Sequence, residues 1–438
     1  MNPRRITALV ATALLVTSAC SSAATHAPAS AGGGQAAGGG NGQIVRIGTE
    51  LPMSGGEAPN GVPTQNGVQL AIQDINAAGG IDGYKFAINS QDDAVNGVNN
   101  PQQGAKNITT LVNDPSVIGV VGPFNSAVAK AEIPISNAAG LLQCSPANTN
   151  PGLTKEWGGV SPLTLRSTHP DQIAYVRVAS TDDYQGLAGA TMAYQELGAR
   201  RAYVVDDTTT YGAGLAGVFA QDFQQMGGTV VKHDGAGSNV TDFTGMLTAA
   251  KALNPDVVYY GGVTTGGGGL LRRQMVAAGM ASIPFIGGDG INDGSAATPS
   301  SFLNLASPQG DLNTYSTVAA AHDIPNAGAF AAKYKAAFGK DPGAYSAAAY
   351  ACTQIILDAF KHVGKPDRAG IRQYITSGAS FDTVTGTVQF DKNGDTNQKI
   401  ISEYKFSPTL NGGDWQFIKQ VNFGQTQGGA SSPAPSGS

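Results

Sequence analysis

Acids and hydroxyls, rather than imidazoles or thiols, must carry whatever chemistry this chain performs. Its 438 residues include 5 His and 3 Cys. His26, His169, His233, His322 and His362 stand too far apart to give a pair at metal-ligand spacing, and no Gly-x-Ser-x-Gly elbow supplies a nucleophile. An enzyme, a metal and a cofactor are therefore not expected. Asp391-Lys392-Asn393-Gly394-Asp395 has the look of a calcium loop, but its glycine comes one position early and Ser402 occupies the place of the bidentate Glu, so a turn is expected. Thr264-Thr265 followed by Gly266 to Gly269 lacks the Gly-Lys-Ser/Thr ending of a phosphate loop and reads as a flexible strand-to-helix loop. Asp206-Asp207 read as a solvated strand end. More informative are Ser126 after Gly122-Pro123-Phe124-Asn125, Thr149 in Ser145-Pro146-Ala147-Asn148-Thr149, and Asp289 in Phe285-Ile286-Gly287-Gly288-Asp289-Gly290. From the residues alone these are a helix N-cap, a turn residue and an Asx turn.

The elements around them alternate. Runs such as 44–47, 86–88, 117–121, 202–205, 229–232, 257–260 and 284–286 read as short strands. Between them, 66–78 and 214–226 have helical periodicity and stop at Gly79-Gly80 and Gly227-Gly228. Alternation of this kind predicts an α/β protein with parallel sheets and ligands beyond the carboxyl ends of the strands. The segments 387–391 and 399–406 flank Asn393-Gly394 and read as an antiparallel hairpin. A composition of 41% hydrophobic and 13% charged residues is globular, and a net charge of −5 without any basic run excludes nucleic acid as a partner.

At the start, Arg4-Arg5 precedes an apolar stretch from Ile6 to Val16 and then Thr17-Ser18-Ala19-Cys20. The stretch is about half of the roughly 20 residues a spanning helix needs, so residues 1–20 read as an export signal. The residues before Cys20 resemble a lipobox, which implies lipid on Cys20 and anchorage of an extracytoplasmic protein to the cell membrane. Residues 21–42 read as a flexible tether and 424–438 as a disordered tail, both poor in groups that could form a core.

Seven segments in order resemble one family: Ile47-Gly48 through Leu51-Pro52-Met53-Ser54-Gly55, Asp74 to Ile81, Asp92-Asp93, Gly119 to Gly122, Tyr211 to Leu215, Asp256 to Gly262, and Gly386 to Asp391. They are similar to the periplasmic leucine/isoleucine/valine-binding proteins, type I solute-binding proteins of ABC importers. The resemblance implies a type I periplasmic-binding-protein fold: two Rossmann-like lobes joined by three crossing strands near 178–183, 315–319 and 380–385. Lobe 1 would comprise 43–180 with 318–380, and lobe 2 would comprise 181–317 with 381–423. It implies an amino-acid-like ligand between the lobes, ABC permease subunits as partners, and a monomer. Ser126 and Thr149 would hold the ligand carboxylate, Ala147 would offer its carbonyl to the ammonium, Asp289 would pair with that ammonium, and Tyr211 and Tyr345 would line the cleft. Cys144 and Cys352 would meet in the first lobe and bond. Asn60 and Val263 replace two aromatic walls, and about fifteen extra residues around 157–170 lie beside the Thr149 loop, so the side-chain pocket differs. Relatives of this fold that carry amides, urea or aromatic acids, and a sensor for a membrane signalling protein, are the alternatives.

Overall fold

Two mainly parallel sheets organise the chain. The computed structural model describes residues 42–159 and 161–424. The expected export signal, Cys20, nearly all of the tether and the tail beyond Gly424 lie outside the described residues. In the first sheet, β1 (Gln43–Leu51), β2 (Tyr84–Asp92), β3 (Val117–Val121), β4 (Gln143–Ser145) and β5 (Tyr175–Arg177) run parallel in the order β2-β1-β3-β4-β5. β3 reads Val-Ile-Gly-Val-Val and is buried at every residue, as a strand covered on both faces must be.

In the second sheet, β6 (Arg201–Asp206), β7 (Thr229–Gly235), β8 (Val257–Gly261), β9 (Phe285–Gly287) and β10 (Thr314–Val318) are parallel. A ribbon of β11 (Ser380–Thr383) and β12 (Gly386–Gln389) follows. After it, β13 (Ile400–Ser407) and β14 (Asp414–Asn422) complete the second sheet as an antiparallel edge, in the order β14-β13-β10-β9-β8-β6-β7.

The helices include α1 (Ala58–Ala77), α2 (Ser126–Ala139), α3 (Asp182–Thr191), α4 (Thr210–Gln225) and α5 (Ser346–Val363). α1 begins eight residues before the helix read from periodicity, because Pro59 sits in its first turn, where a missing N–H costs nothing. It packs so closely on α5 that a Cβ at Gly67 would lie 2.1 Å from the Ser346 carbonyl oxygen. Among the described residues, no helix is long and apolar enough to cross a membrane.

The expected hairpin of 387–391 with 399–406 forms only as a short stub. Around the turn, where Gly394 N donates to Asp391 O at 3.0 Å, Phe390 bridges Thr396 antiparallel and Asn397 N donates to Gln389 O at 2.8 Å, but beyond it β12 pairs with β11 and β13 with β10 and β14. The third crossing expected at 380–385 moves with it. Phe381, Val388 and Phe390 pack in the core of the first sheet, and the chain reaches the second sheet only near 396–400. There Ser180 N donates to Ala319 O at 3.0 Å and Ile400 N donates to Ser180 Oγ at 2.8 Å, so three passages of the chain are laced together.

Candidate functional site

Asp289 follows β9 and opens a single turn of 3-10 helix, Asp289–Ile291. Its side chain receives three hydrogen bonds: Gln185 Nε2 to Oδ1 at 2.7 Å, Tyr211 Oη to Oδ1 at 2.9 Å and Tyr345 Oη to Oδ2 at 2.8 Å. Gln185 comes from α3 and Tyr211 from α4, whose first turn is fixed by Thr209 Oγ1 accepting from Gly212 N at 3.0 Å. Tyr345 precedes α5, and its ring meets Phe124 edge-on at 5.5 Å within the first core. Burial raises the Asp289 pKa while the three donors act against that rise. Asp182, the first residue of α3, is fully buried nearby. Its pKa is raised well above the usual carboxylate value by burial and then by Asp289, with the Thr149 hydroxyl and Arg177 opposing. Two acids packed together away from water favour a cation between or beside them.

Facing Asp289 are the loops after β3 and β4. Ser126 is the first residue of α2 and is 2% exposed, and its Oγ accepts from Asn150 N at 3.4 Å. The preceding Asn125 makes no side-chain cap, so the N–H groups of this helix start keep the positive end of the dipole open to an anion. Thr149 is buried, and its carbonyl accepts from Asp182 N at 2.8 Å. Ala147 is buried beside it, and Asn148 anchors the loop by donating to Phe124 O at 2.6 Å and accepting from Tyr175 Oη at 2.8 Å. The structure thus brings Tyr211, Tyr345 and Asp289 into direct contact and places Thr149 against Asp182, the neighbour of Asp289. Asn150 Nδ2, donating to Thr210 O at 2.7 Å, ties the Thr149 loop to α4.

Asp182 and Gln185, which match a pattern of the resembled family at the first crossing, are both buried beside Asp289. Other neighbours escaped the sequence reading. Glu57 sits in the turn before α1, 2% exposed, and is held by Thr265 Oγ1 and, at 3.3 Å, by Asn99 Nδ2. The loop around Thr265 is not the flexible one expected. Thr264 and Gly266 to Gly269 are buried, and a Cβ at Gly268 would lie 2.6 Å from the Tyr260 ring, so glycine here serves close packing. Nor are Asp206 and Asp207 solvated. Asp207 is 2% exposed and accepts from Thr209 N, Thr209 Oγ1 and Val263 N at 3.0, 2.6 and 3.0 Å. Val263 lies beside Tyr211 and Gly290, while Asn60 is built into α1, its carbonyl accepting from Thr64 Oγ1 at 2.7 Å.

The extra residues near 157–170 include a turn, Pro162–Arg166, whose Leu165 packs with Leu153, Ala129, Ile133 and Tyr175 on the outer side of α2. Asp395 is engaged by Arg177 Nε at 2.7 Å, and Asp391 accepts from Asn393 N and Asp395 N, so the 391–395 acids serve a turn and an ion pair. Cys144 on β4 and Cys352 on α5 are joined as a disulfide with Cα atoms 5.7 Å apart.

Comparison with known proteins gives the family and the fold. The model of the periplasmic binding protein family matches residues 44–406. A Leu/Ile/Val-binding protein homolog 1 of Brucella melitensis is 30% identical over 86% of this chain and 94% of its own length. An amino acid binding protein of Pseudomonas aeruginosa is 31% identical over 82% of this chain and 88% of its own. Among solved structures, the leucine binding protein LivK of Thermotoga maritima is 25% identical with a TM-score of 0.71, covering 86% of this chain and 99% of that one. LivJ of Streptococcus pneumoniae, a branched-chain amino acid transporter substrate binding protein solved with isoleucine, has the same identity and TM-score, covering 86% and 100%. With two mainly parallel sheets laced by three chain passages and a family match spanning both, the chain belongs to the periplasmic binding proteins and has their type I fold.

Proposed function

We propose that this chain is the extracytoplasmic substrate-binding lipoprotein of an ABC importer, capturing an α-amino acid between its two sheets and presenting it to the permease. Lipid on Cys20 would hold it at the membrane, and no step of capture calls for a cofactor or covalent chemistry. The observation that carries the reading is Asp289, a buried carboxylate gripped by Gln185 and Tyr211 from one side and Tyr345 from the other. Such an acid meets an ammonium, while Ser126 at the uncapped start of α2, with Thr149, meets the carboxylate. Each lobe then supplies a partner that the other cannot, so only the closed arrangement satisfies both ends of the zwitterion. The relatives' names, Leu/Ile/Val-binding protein homolog and amino acid binding protein, support the same ligand class. An aromatic acid fits less well, because it brings an anion but no cation to the acids at 182 and 289.

Titration calorimetry tests the reading. Asp289→Ala is expected to weaken amino-acid binding by at least tenfold, and an unchanged affinity would remove Asp289 from the site.

A further inference from the structure

A second group of buried polar atoms lies next to the Asp289 site and takes no part in holding Asp289. Its members come from both lobes. Glu57 reaches from the turn before α1 to Thr265, and a Cβ at the adjoining Gly56 would stand 2.6 Å from Thr265 Cγ2, so the Thr265 side chain packs against this turn across the cleft. Thr264 Oγ1 approaches Gly290 O at 3.4 Å and faces the Asp293 carboxylate, four residues after Asp289. On the other side Asn125, in the loop that also carries Phe124 and Ser126, stands beside Glu57. The group is therefore continuous with the site, through Gly290 in one direction and the 124–126 loop in the other.

What distinguishes these residues is spare acceptor capacity. Glu57, Asn125 and Asp293 are 2%, 8% and 3% exposed. Oε2 of Glu57, Oδ1 of Asn125 and Oδ2 of Asp293 are buried and accept no well-formed hydrogen bond; the Asn125 amide and the Thr264 hydroxyl only approach the two carboxyls. Asp207 adds a third carboxyl to the field at Glu57, and none of the main groups acting on Glu57, Asp207 or Asp293 is a lysine or arginine. Unpaired acceptors and uncompensated acids in a dry site cost free energy that a donor-bearing cation removes, whereas a branched aliphatic group leaves it in place.

We propose that the pocket formed by Glu57, Asn125 and Asp293 receives a ligand side chain ending in a cationic nitrogen, so that the chain selects a basic amino acid over a branched-chain one. This rests on the α-amino acid reading of the Asp289 site and names its substrate class. Three carboxyls near one end of the ligand and two near its ammonium are acceptors that give up their protons when a cation takes the protons' place, which a dicationic, monoanionic amino acid supplies at both ends.

Titration calorimetry of the chain with L-arginine, L-lysine, L-glutamine and L-leucine tests the proposal. Arginine or lysine is expected to bind at least tenfold more tightly than leucine, and both Glu57→Gln and Asp293→Asn are expected to cut that preference at least threefold. Leucine or glutamine binding most tightly, with Asp289→Asn abolishing it, overturns the basic specificity and leaves the amino-acid reading standing. A preference for arginine or lysine that both pocket variants leave intact overturns the assignment to this pocket. Binding of none of the four overturns the amino-acid reading itself, and the specificity with it.

Discussion

Arg177 shows how a residue outside the ligand shell can govern the site. It is 0% exposed and spends its guanidinium on four partners: Asp395 Oδ1 from Nε at 2.7 Å, Asn148 O and Asn150 O from one terminal nitrogen at 3.3 and 2.7 Å, and Thr154 Oγ1 from the other at 2.5 Å. Two of these are backbone carbonyls flanking Thr149. Arg177 is thus the strut behind the Thr149 loop. Its partner needs the 391–395 turn, where a Cβ at Gly394 would lie 2.4 Å from Tyr175 O and φ is +93°, so glycine is required. Replacing Arg177 by Met leaves Asp395 buried and uncompensated, and a loss of about 3–5 kcal/mol is expected. Urea unfolding followed by circular dichroism measures it, and Arg177→Met/Asp395→Leu is expected to recover part of the loss. A single-variant loss below about 1 kcal/mol would show the pair to be incidental. Asp289, Tyr211 and Tyr345 were legible only through the family resemblance, since from the residues alone Asp289 reads as an Asx turn and neither tyrosine is marked. Glu57 and Arg177 stayed hidden, since whether an acid or an arginine is capped, solvated or buried depends on what packs against it from segments more than a hundred residues away.

The disulfide acts at the level of elements. Cys144 ends up on β4, one residue before the Ser145 loop, and Cys352 lies in the middle of α5, which also packs on α1. The bond spans 208 residues of sequence, and closing so long a loop in the unfolded chain removes much of its entropy. The Cys144→Ala/Cys352→Ala variant is expected to lose roughly 2–4 kcal/mol, read as a lower Tm in differential scanning calorimetry. Alkylation of both thiols in the denatured, unreduced protein would show that no bond exists. Elements whose pattern is local were legible: β3 and β8 as unbroken apolar runs, and the ends of α1 and α4 from their glycine pairs. Pairing was less so. β13 has the alternation of a hairpin arm, but its partners are β10 and β14, and β12 turns back on β11, because the core around Phe381 and Val388 claims that ribbon first. A turn signal fixes that the chain reverses; which strand lies alongside is settled by burial elsewhere.

Across the whole molecule, the interior carries more acid than base. Glu50, Asp93 and Glu132 cluster beneath the first sheet, all but fully buried, with Glu50 receiving Asn107 Nδ2 at 2.9 Å and Glu132 receiving Gln143 Nε2 at 2.5 Å. Burial first, and their mutual repulsion after it, raise the pKa of Asp93 and Glu132 well above the usual carboxylate range. Asp182 behaves alike, and Asp293 is pushed up to about 7, chiefly by burial. Against these acids stand the fully buried Arg177, paired with Asp395, and Arg272, which donates to the carbonyls of Gly310, Ile283, Ala281 and Leu312. Protons must neutralise the remainder. A carboxyl whose folded pKa is raised binds its proton more tightly folded than unfolded, so its stabilisation is complete below the unfolded value of about 4 and disappears as pH rises through the folded value. Asp395 has the opposite sign: Arg177 holds its pKa low despite burial, so its contribution is present above about 4 and is lost in acid. Stability is then greatest in mildly acidic solution and falls through neutrality, by about 1.4 kcal/mol per pH unit for each proton retained. Differential scanning fluorimetry from pH 5 to 9 is expected to show Tm declining above pH 6, with a shallower decline in Glu132→Gln, which removes one titrating member of the cluster. A Tm that climbs between pH 6 and 9 would mean that these carboxyls are ionised in the folded chain and that a cation, not a proton, offsets their charge.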